Sequence, residues 1–375
     1  MKPLSKLKVV DFTTNISGPT LTMILADLGA EVIKVEKPSG DEARGMAPLQ
    51  YENGVYFHNI NRGKKSIVLD LKDANAREQL YKLVAKADIV VENFRQGVAK
   101  ELAIDYETLN AYNNSLIYCS LSAYGQYGPK KNYPGYDAIV QAETGLMSIT
   151  GSNELARIPV SIIDQGSALW GAVAILSALQ VKQQSGRGSY VTTSLYETGV
   201  FWSNYHLLSA KLLQKNPAKL GTNHGAFAPY GAFKTKDGQV MVGISNDVLF
   251  QRFCTALGQP QWKESEMYCS NTKRVENRQQ LNEEIEQTIQ TMETDRVISA
   301  LEKARVPVAK VKSMLDVLED DQLSENELLV DLMKEDKAIT VTRLPFQLST
   351  VDLTPKQQAP LLGEHTETYL DVRDP

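Results

Sequence analysis

Cysteine is scarce in this chain. Its three residues, Cys119, Cys254 and Cys269, are scattered and odd in number, which argues against a disulfide framework. Histidine is nearly as rare, with four residues (His58, His206, His224, His365), none at metal-ligand spacing, so no metal site is expected. No run approaches the roughly 18 apolar residues of a membrane span, and no membrane association is expected. The opening Met1-Lys2-Pro3-Leu4-Ser5-Lys6 is too polar for a signal peptide, so the expected location is cytoplasmic. Excess positive charge is absent too. A net charge of −5 gives no electrostatic footprint for nucleic acid, and local basic residues must hold any anionic ligand.

Familiar catalytic strings are also missing. The first βα turn, Thr14-Asn15-Ile16-Ser17-Gly18-Pro19, has one glycine and not the G-x-G-x-x-G of a dinucleotide site. There is no phosphate loop of the G-x-x-x-x-G-K-[ST] type, and no nucleophile elbow or triad signature. Chemistry therefore falls to a nucleophile that needs no base. A carboxylate qualifies, since a reference pKa of about 3.9 leaves it ionised at neutral pH.

What is present is the alternation of an α/β protein. At 375 residues, with 42% hydrophobic and 23% charged residues, the chain reads as a globular protein of two domains. Strands are expected at Lys8 to Phe12, Glu31 to Val35, Ser66 to Leu71, Ile89 to Glu92, Leu116 to Ser120 and Ser189 to Thr193. Helices are expected at Pro19 to Leu28, Ala74 to Lys86, Val98 to Leu109, Asp164 to Gln183 and Leu195 to Leu213. This order implies a mostly parallel sheet with helices packed on it. After about Leu220 the texture changes. Thr235-Lys236-Asp237-Gly238 between two strand-like runs signals a hairpin, and amphipathic helices follow. The expected division is a large Rossmann-like domain over 1–221, a small α+β domain over 222–328, and a tail over 329–375 that returns to the large one.

Asp164 is the most informative residue. It ends an apolar stretch and opens an apolar, small-residue helix, where the macrodipole favours a negative charge. On local grounds an Asp there is more often a plain N-cap. Strings elsewhere decide between the two. They are Val10-Asp11-Phe12-Thr13 with Gly18-Pro19, Asp27-Leu28-Gly29-Ala30-Glu31-Val32-Ile33-Lys34-Val35-Glu36, Gly40-Asp41 with Arg44, and Asn61-Arg62-Gly63-Lys64-Lys65-Ser66. They continue with Ala87-Asp88-Ile89-Val90-Val91-Glu92-Asn93-Phe94-Arg95, Tyr124-Gly125, Pro134-Gly135-Tyr136-Asp137, Gly186-Arg187-Gly188 and Gly363-Glu364-His365-Thr366. In this order the chain resembles the class III CoA-transferase family (CaiB/BaiF-like), which includes formyl-CoA and carnitine CoA-transferases and α-methylacyl-CoA racemases.

The resemblance implies a large Rossmann-like domain with a smaller inserted α+β domain, in an interlocked homodimer. It places Asp164 at the family's catalytic aspartate. It implies coenzyme A contacts at Ile16, Ser17, Lys37, Leu69, Lys72, Asn93, Phe94 and Arg95, with Tyr136 beside the thioester. Coenzyme A and its acyl thioesters are then substrates, and no tightly bound cofactor is expected. Two positions depart from the family. Glu101 stands where an arginine is usual, so that one phosphate contact is either lost or taken by Lys100, and no tetra-glycine loop occurs around Gly221 to Gly231. Met46, Tyr56 and His58 fall in the segment that shapes the acyl pocket, Arg44 and Arg62 read as ion-pair partners, and Tyr230 is a candidate to cover the site. The racemase branch carries histidine where this chain has Tyr136, and tyrosine, with a pKa near 10, is a poor base at neutral pH. The expected activity is CoA transfer from an acyl-CoA to a carboxylic acid through an aspartyl anhydride and an aspartyl-CoA thioester. An acyl-CoA racemase or isomerase and a non-catalytic CoA-binding homologue are the alternatives.

Overall fold

The structure, a computed structural model, describes residues 1–370. The chain divides into two compact units, one of Met1–Leu146, Ile158–Leu213 and the chain from Gln322 onward, the other of Met147–Arg157 and Gln214–Asp321.

The first unit is built on β1 (Lys8–Asp11), α1 (Ser17–Asp27), β2 (Glu31–Glu36), α2 (Val55–Asn61), β3 (Lys65–Val68), α3 (Ala74–Val84), β4 (Ile89–Glu92) and β5 (Ile117–Ser122). It continues through α4 (Asp137–Glu143), α5 (Ile162–Ser185), β6 (Ser189–Ser194), α6 (Leu195–Trp202) and α7 (Asn204–Leu213). Six strands form one parallel sheet in the order β3-β2-β1-β4-β5-β6. Strands covered on both faces read as unbroken apolar runs, and Val9, Val10, Val32, Ile33, Ile89 and Val90 are fully buried. The strand order turns at β1 and β4, so the loops after them diverge and leave a crevice at their carboxyl ends. On one face α1 crosses α5 closely. A Cβ at Gly171 of α5 would stand 2.2 Å from Leu21 Cδ1, so a larger residue there would require the Leu21 side chain to shift.

Two expected helices break. Val98 to Leu109 is two short helices, Val98–Glu101 and Tyr106–Asn110, because Ala103 takes a left-handed backbone (φ 56°) and Asp105 caps the second through the Thr108 N–H. Leu195 to Leu213 parts into α6 and α7 at Ser203, whose hydroxyl bonds the Gly199 and Thr144 carbonyls. A third departure concerns α5: its 24 residues are long and apolar enough to cross a membrane by length and composition, where no such run was expected. In the fold it lies against α1, β5, β6 and α6.

In the second unit, β7 (Tyr230–Lys234), β8 (Gln239–Gly243) and β9 (Val308–Lys310) form an antiparallel sheet with β8 central. It shares a core around Phe250, Phe253, Trp262, Leu281 and Val297 with α8 (Asp247–Ala256), α9 (Arg278–Ile289) and α10 (Thr294–Lys303).

Candidate active site

The crevice is set from below by buried charge. Asp11, at the end of β1, accepts from the Thr13 N–H and hydroxyl through Oδ1, and from Thr22 (2.7 Å) and Lys64 (3.1 Å) through Oδ2. Burial pushes its carboxyl up, but Lys64 and Lys34 outweigh that and hold it below the usual range. Lys34 donates to the Thr13 carbonyl at 2.7 Å and pairs with Asp41 at 2.8 Å, and Asp41 accepts the Asn15 N–H at 3.0 Å. Arg44 pairs with Glu36 at 2.7 Å. Three cations thus meet three anions out of water, each hydrogen-bonded, which is the condition for burying charge at tolerable cost. Their effect is to fix the backbone of the first βα turn.

The turn after β4 is tied to the first one. Asn93 Oδ1 accepts the Thr14 N–H at 2.9 Å, and its amide donates to the Thr14 carbonyl at 2.8 Å. The Phe94 N–H donates to buried Glu92 at 2.8 Å, whose carboxyl burial pushes up to about 7. What Asn93 brings to the crevice is chiefly the position of its neighbours.

The start of α5 closes the crevice. Ser161 precedes the helix with a left-handed backbone (φ 34°) and supplies no side-chain cap. Asp137, buried at the start of α4, takes that role: its Oδ1 accepts from the Ile163 N–H at 2.7 Å and the Asp164 N–H at 3.2 Å. The Asp164 side chain is therefore not the cap, and it lines the cavity. Burial and the neighbouring Asp137 charge push its carboxyl up to about 7, against a lowering hydrogen bond from Ser17.

Two cavities share Thr14 and Phe94. The first, about 290 Å³, is lined by Ile16, Ser17, Asn93, Arg95, Tyr136 and Asp164 together with those two. The second, about 360 Å³, has an apolar floor that includes Leu69, and Lys37 and Lys72 at its edge. Lys37 is paired with Glu42, whereas Lys72 and Arg95 carry no ion-pair partner among the described residues. An apolar slot edged by cations, beside a half-buried carboxylate, suits a long anionic ligand with a reactive end.

The comparisons with known proteins agree. The model of CoA-transferase family III matches residues 4–366. The chain belongs to CoA-transferase family III. It is 33% identical over 384 residues to a succinyl-CoA:mesaconate CoA-transferase of Haloarcula hispanica, covering 99% of this chain and 96% of that protein. It is 33% identical over 375 residues to a human succinyl-CoA:glutarate CoA-transferase, covering 99% of this chain and 86% of that one. Among solved structures, a CaiB/BaiF family protein from Brucella suis superposes with a TM-score of 0.89 at 33% identity, covering 98% of both chains.

Not every residue that the resemblance to CoA-transferase family III singled out meets in the crevice. Lys100 lines neither cavity; Glu101 lines the second one. Met46 lines the first. Tyr56 is near enough to Asp164 and Asp137 for their charges to raise its phenol, though burial does more. His58 is buried against the Gln50 carbonyl at 2.9 Å and lines neither cavity. Arg62 pairs with Asp27 at 2.6 Å in the core, and Arg44 with Glu36. Tyr230 lies on β7 of the second unit. Sequence reasoning passed over Asp137 as a cap. Its only signal was the string Gly135-Tyr136-Asp137, and nothing local shows that it reaches the start of a helix at Ile162.

Proposed function

We propose that this family III enzyme transfers CoA from an acyl-CoA donor, of the succinyl-CoA kind, to a small carboxylic acid acceptor, with Asp164 as nucleophile. The observation that carries this reading is a carboxylate at the crevice floor whose expected capping duty has passed to Asp137. The Asp164 carboxylate attacks the thioester carbonyl, giving a mixed anhydride and the CoA thiolate. The thiolate attacks the aspartyl carbonyl, releasing the donor acid and leaving an aspartyl-CoA thioester. The acceptor carboxylate attacks the aspartyl carbonyl in turn, expelling CoA thiolate and forming a second mixed anhydride, and the thiolate then attacks the acceptor carbonyl, giving acceptor-CoA and freeing the Asp164 carboxylate. Each step exchanges bonds of similar energy, so no external energy source is needed. The backbone N–H groups at the start of α1 are assigned to the developing oxyanions, since those of Ile163 and Asp164 at the start of α5 are taken by Asp137. Lys37, Lys72 and Arg95 are assigned to the CoA phosphates, and Phe94 to the adenine or pantetheine. The first cavity contains no histidine to pair with Asp164 in α-proton transfer, which disfavours racemisation. The choice of a dicarboxylate donor rests on the names of the two relatives.

The same reading makes the enzyme a cytoplasmic homodimer, its chain interlocked with a second copy, with the small domain (222–328) inserted into the large one. The support is an apolar surface on α5 and α7, where Leu169, Val173, Val181, Leu208, Leu212 and Leu213 are more than half exposed.

Intact mass after incubation with succinyl-CoA, with and without hydroxylamine, tests the chemistry. The expected result is an adduct, or its hydroxamate, mapping to Asp164, and at least about a thousandfold loss of exchange in Asp164→Ala with CoA binding retained. Retained exchange in Asp164→Ala would overturn the assignment.

A further inference from the structure

Asp137 is more than a cap. Its Oδ2 accepts from Gln141 at 2.6 Å, and Gln141 is itself held by both the N–H and the carbonyl of Ile158. This places a buried carboxylate rigidly beside Asp164. The N–H groups at a helix start ordinarily stabilise a nearby anion, and here Asp137 has taken the two at Ile163 and Asp164. Two cations, Arg95 and Lys131, line the same cavity, but neither acts on the Asp164 carboxyl, which feels burial, Asp137 and Ser17. Ser17 of α1 gives one hydroxyl bond, Tyr56 of α2 presents a phenol, and the charged residue of α6, Glu197, accepts from the Ser194 hydroxyl. No charged residue occurs in β5 or β6, Asp27 at the far end of α1 is paired with Arg62, and Glu143 of α4 is paired with Lys130.

We propose that Asp137 is the positioning residue that makes Asp164 a strong nucleophile, by occupying the backbone donors at the start of α5 and setting a second negative charge beside the attacking oxygens. This rests on Asp164 being the nucleophile. In the step it serves, an Asp164 oxygen bonds to the thioester carbonyl carbon, the C–S bond breaks, and sulfur leaves with the bonding pair as the CoA thiolate. Negative charge moves away from Asp137 in that step. The repulsion between the two carboxylates, present before reaction, is relieved as the anhydride forms, so it lowers the barrier instead of weakening the transition state.

Asp137→Asn keeps an oxygen for the two N–H donors and removes the charge. The measurement is the pH profile of adduct formation at Asp164, with the rate of exchange and the KM for succinyl-CoA. The wild-type midpoint is expected near neutrality, and that of the variant at least about one pH unit lower. With a Brønsted slope of about 0.4–0.5, each unit of lowered pKa makes the variant about threefold slower above pH 8, while near pH 6 its larger ionised fraction offsets that loss, at a KM within about threefold. A purely structural role lowers the rate by one factor at every pH, and an unmoved midpoint overturns the proposal. Should the variant not fold, ¹³C NMR of the aspartate carboxyls, assigned against Asp164→Asn, reads the wild-type Asp164 midpoint, which Asp137→Ser is expected to lower. A midpoint near 7 supports the proposal and one below about 5 overturns it. Failure of the nucleophile assignment is distinguishable: no Asp164 adduct then forms in the wild type, while the NMR titration still decides whether Asp137 acts on Asp164.

Discussion

A single proton on Asp164 connects the site to the stability of the fold. Its folded-state pKa, near 7, lies above the ordinary value of about 3.8, because burial and Asp137 disfavour the charge. The folded state therefore holds a proton that the unfolded state has lost across that interval. The stability associated with it is full below about pH 4 and is lost as pH rises through 7. Asp164→Asn removes the titration. Its unfolding free energy, measured by urea titration, should match wild type near pH 4 and exceed it at pH 8 by on the order of 2 kcal/mol. Equal pH dependence in the two proteins would show that Asp164 is not desolvated. The sequence made Asp164 legible as a carboxylate at a helix start. Its raised pKa was not legible, since it comes first from burial, which only the fold creates, and then from a charge 27 residues earlier on another helix.

Among the elements, the loops that follow β1 and β4 form the crevice jointly, and the Asn93–Thr14 pair is what joins them. Asn93→Ala removes two hydrogen bonds to backbone groups. We expect a loss of about 1–3 kcal/mol of stability and a severalfold rise in KM for the acyl-CoA with kcat much less affected, checked by urea unfolding and steady-state kinetics. A fall in kcat alone would assign Asn93 to the chemistry and not to the frame. The central strands of the large sheet were readable from short buried apolar runs bounded by polar residues, Val9-Val10, Val32-Ile33 and Ile89-Val90-Val91. The breaks at Ala103 and Ser203 were not, because one depends on a left-handed residue and the other on a hydroxyl reaching the Thr144 carbonyl.

For the whole molecule, the exposed apolar surface of α5 and α7 is the feature with the largest consequence. Beside it lies an apolar depression of about 970 Å³ lined by Leu4, Leu7, Val173, Leu176 and Leu179. A second copy is the proposed cover. A charge placed in that interface should disrupt assembly. Leu176→Glu is expected to shift the particle in light scattering from twice the 41.6 kDa chain mass toward one chain or to aggregation. A wild-type protein that runs as a monomer at micromolar concentration would remove the dimer from the proposal.

The sequence by itself determined the parallel α/β layering, the helix that Asp164 opens and the family, because periodicity, turn chemistry and ordered strings are properties of neighbouring residues. Tertiary structure alone decided which residues share the crevice, that Lys100 lines neither cavity, and that Asp137 and not Asp164 caps α5. Those outcomes turn on distances between residues far apart in the chain. Burial sets the strength of each charge, and only the folded chain creates burial.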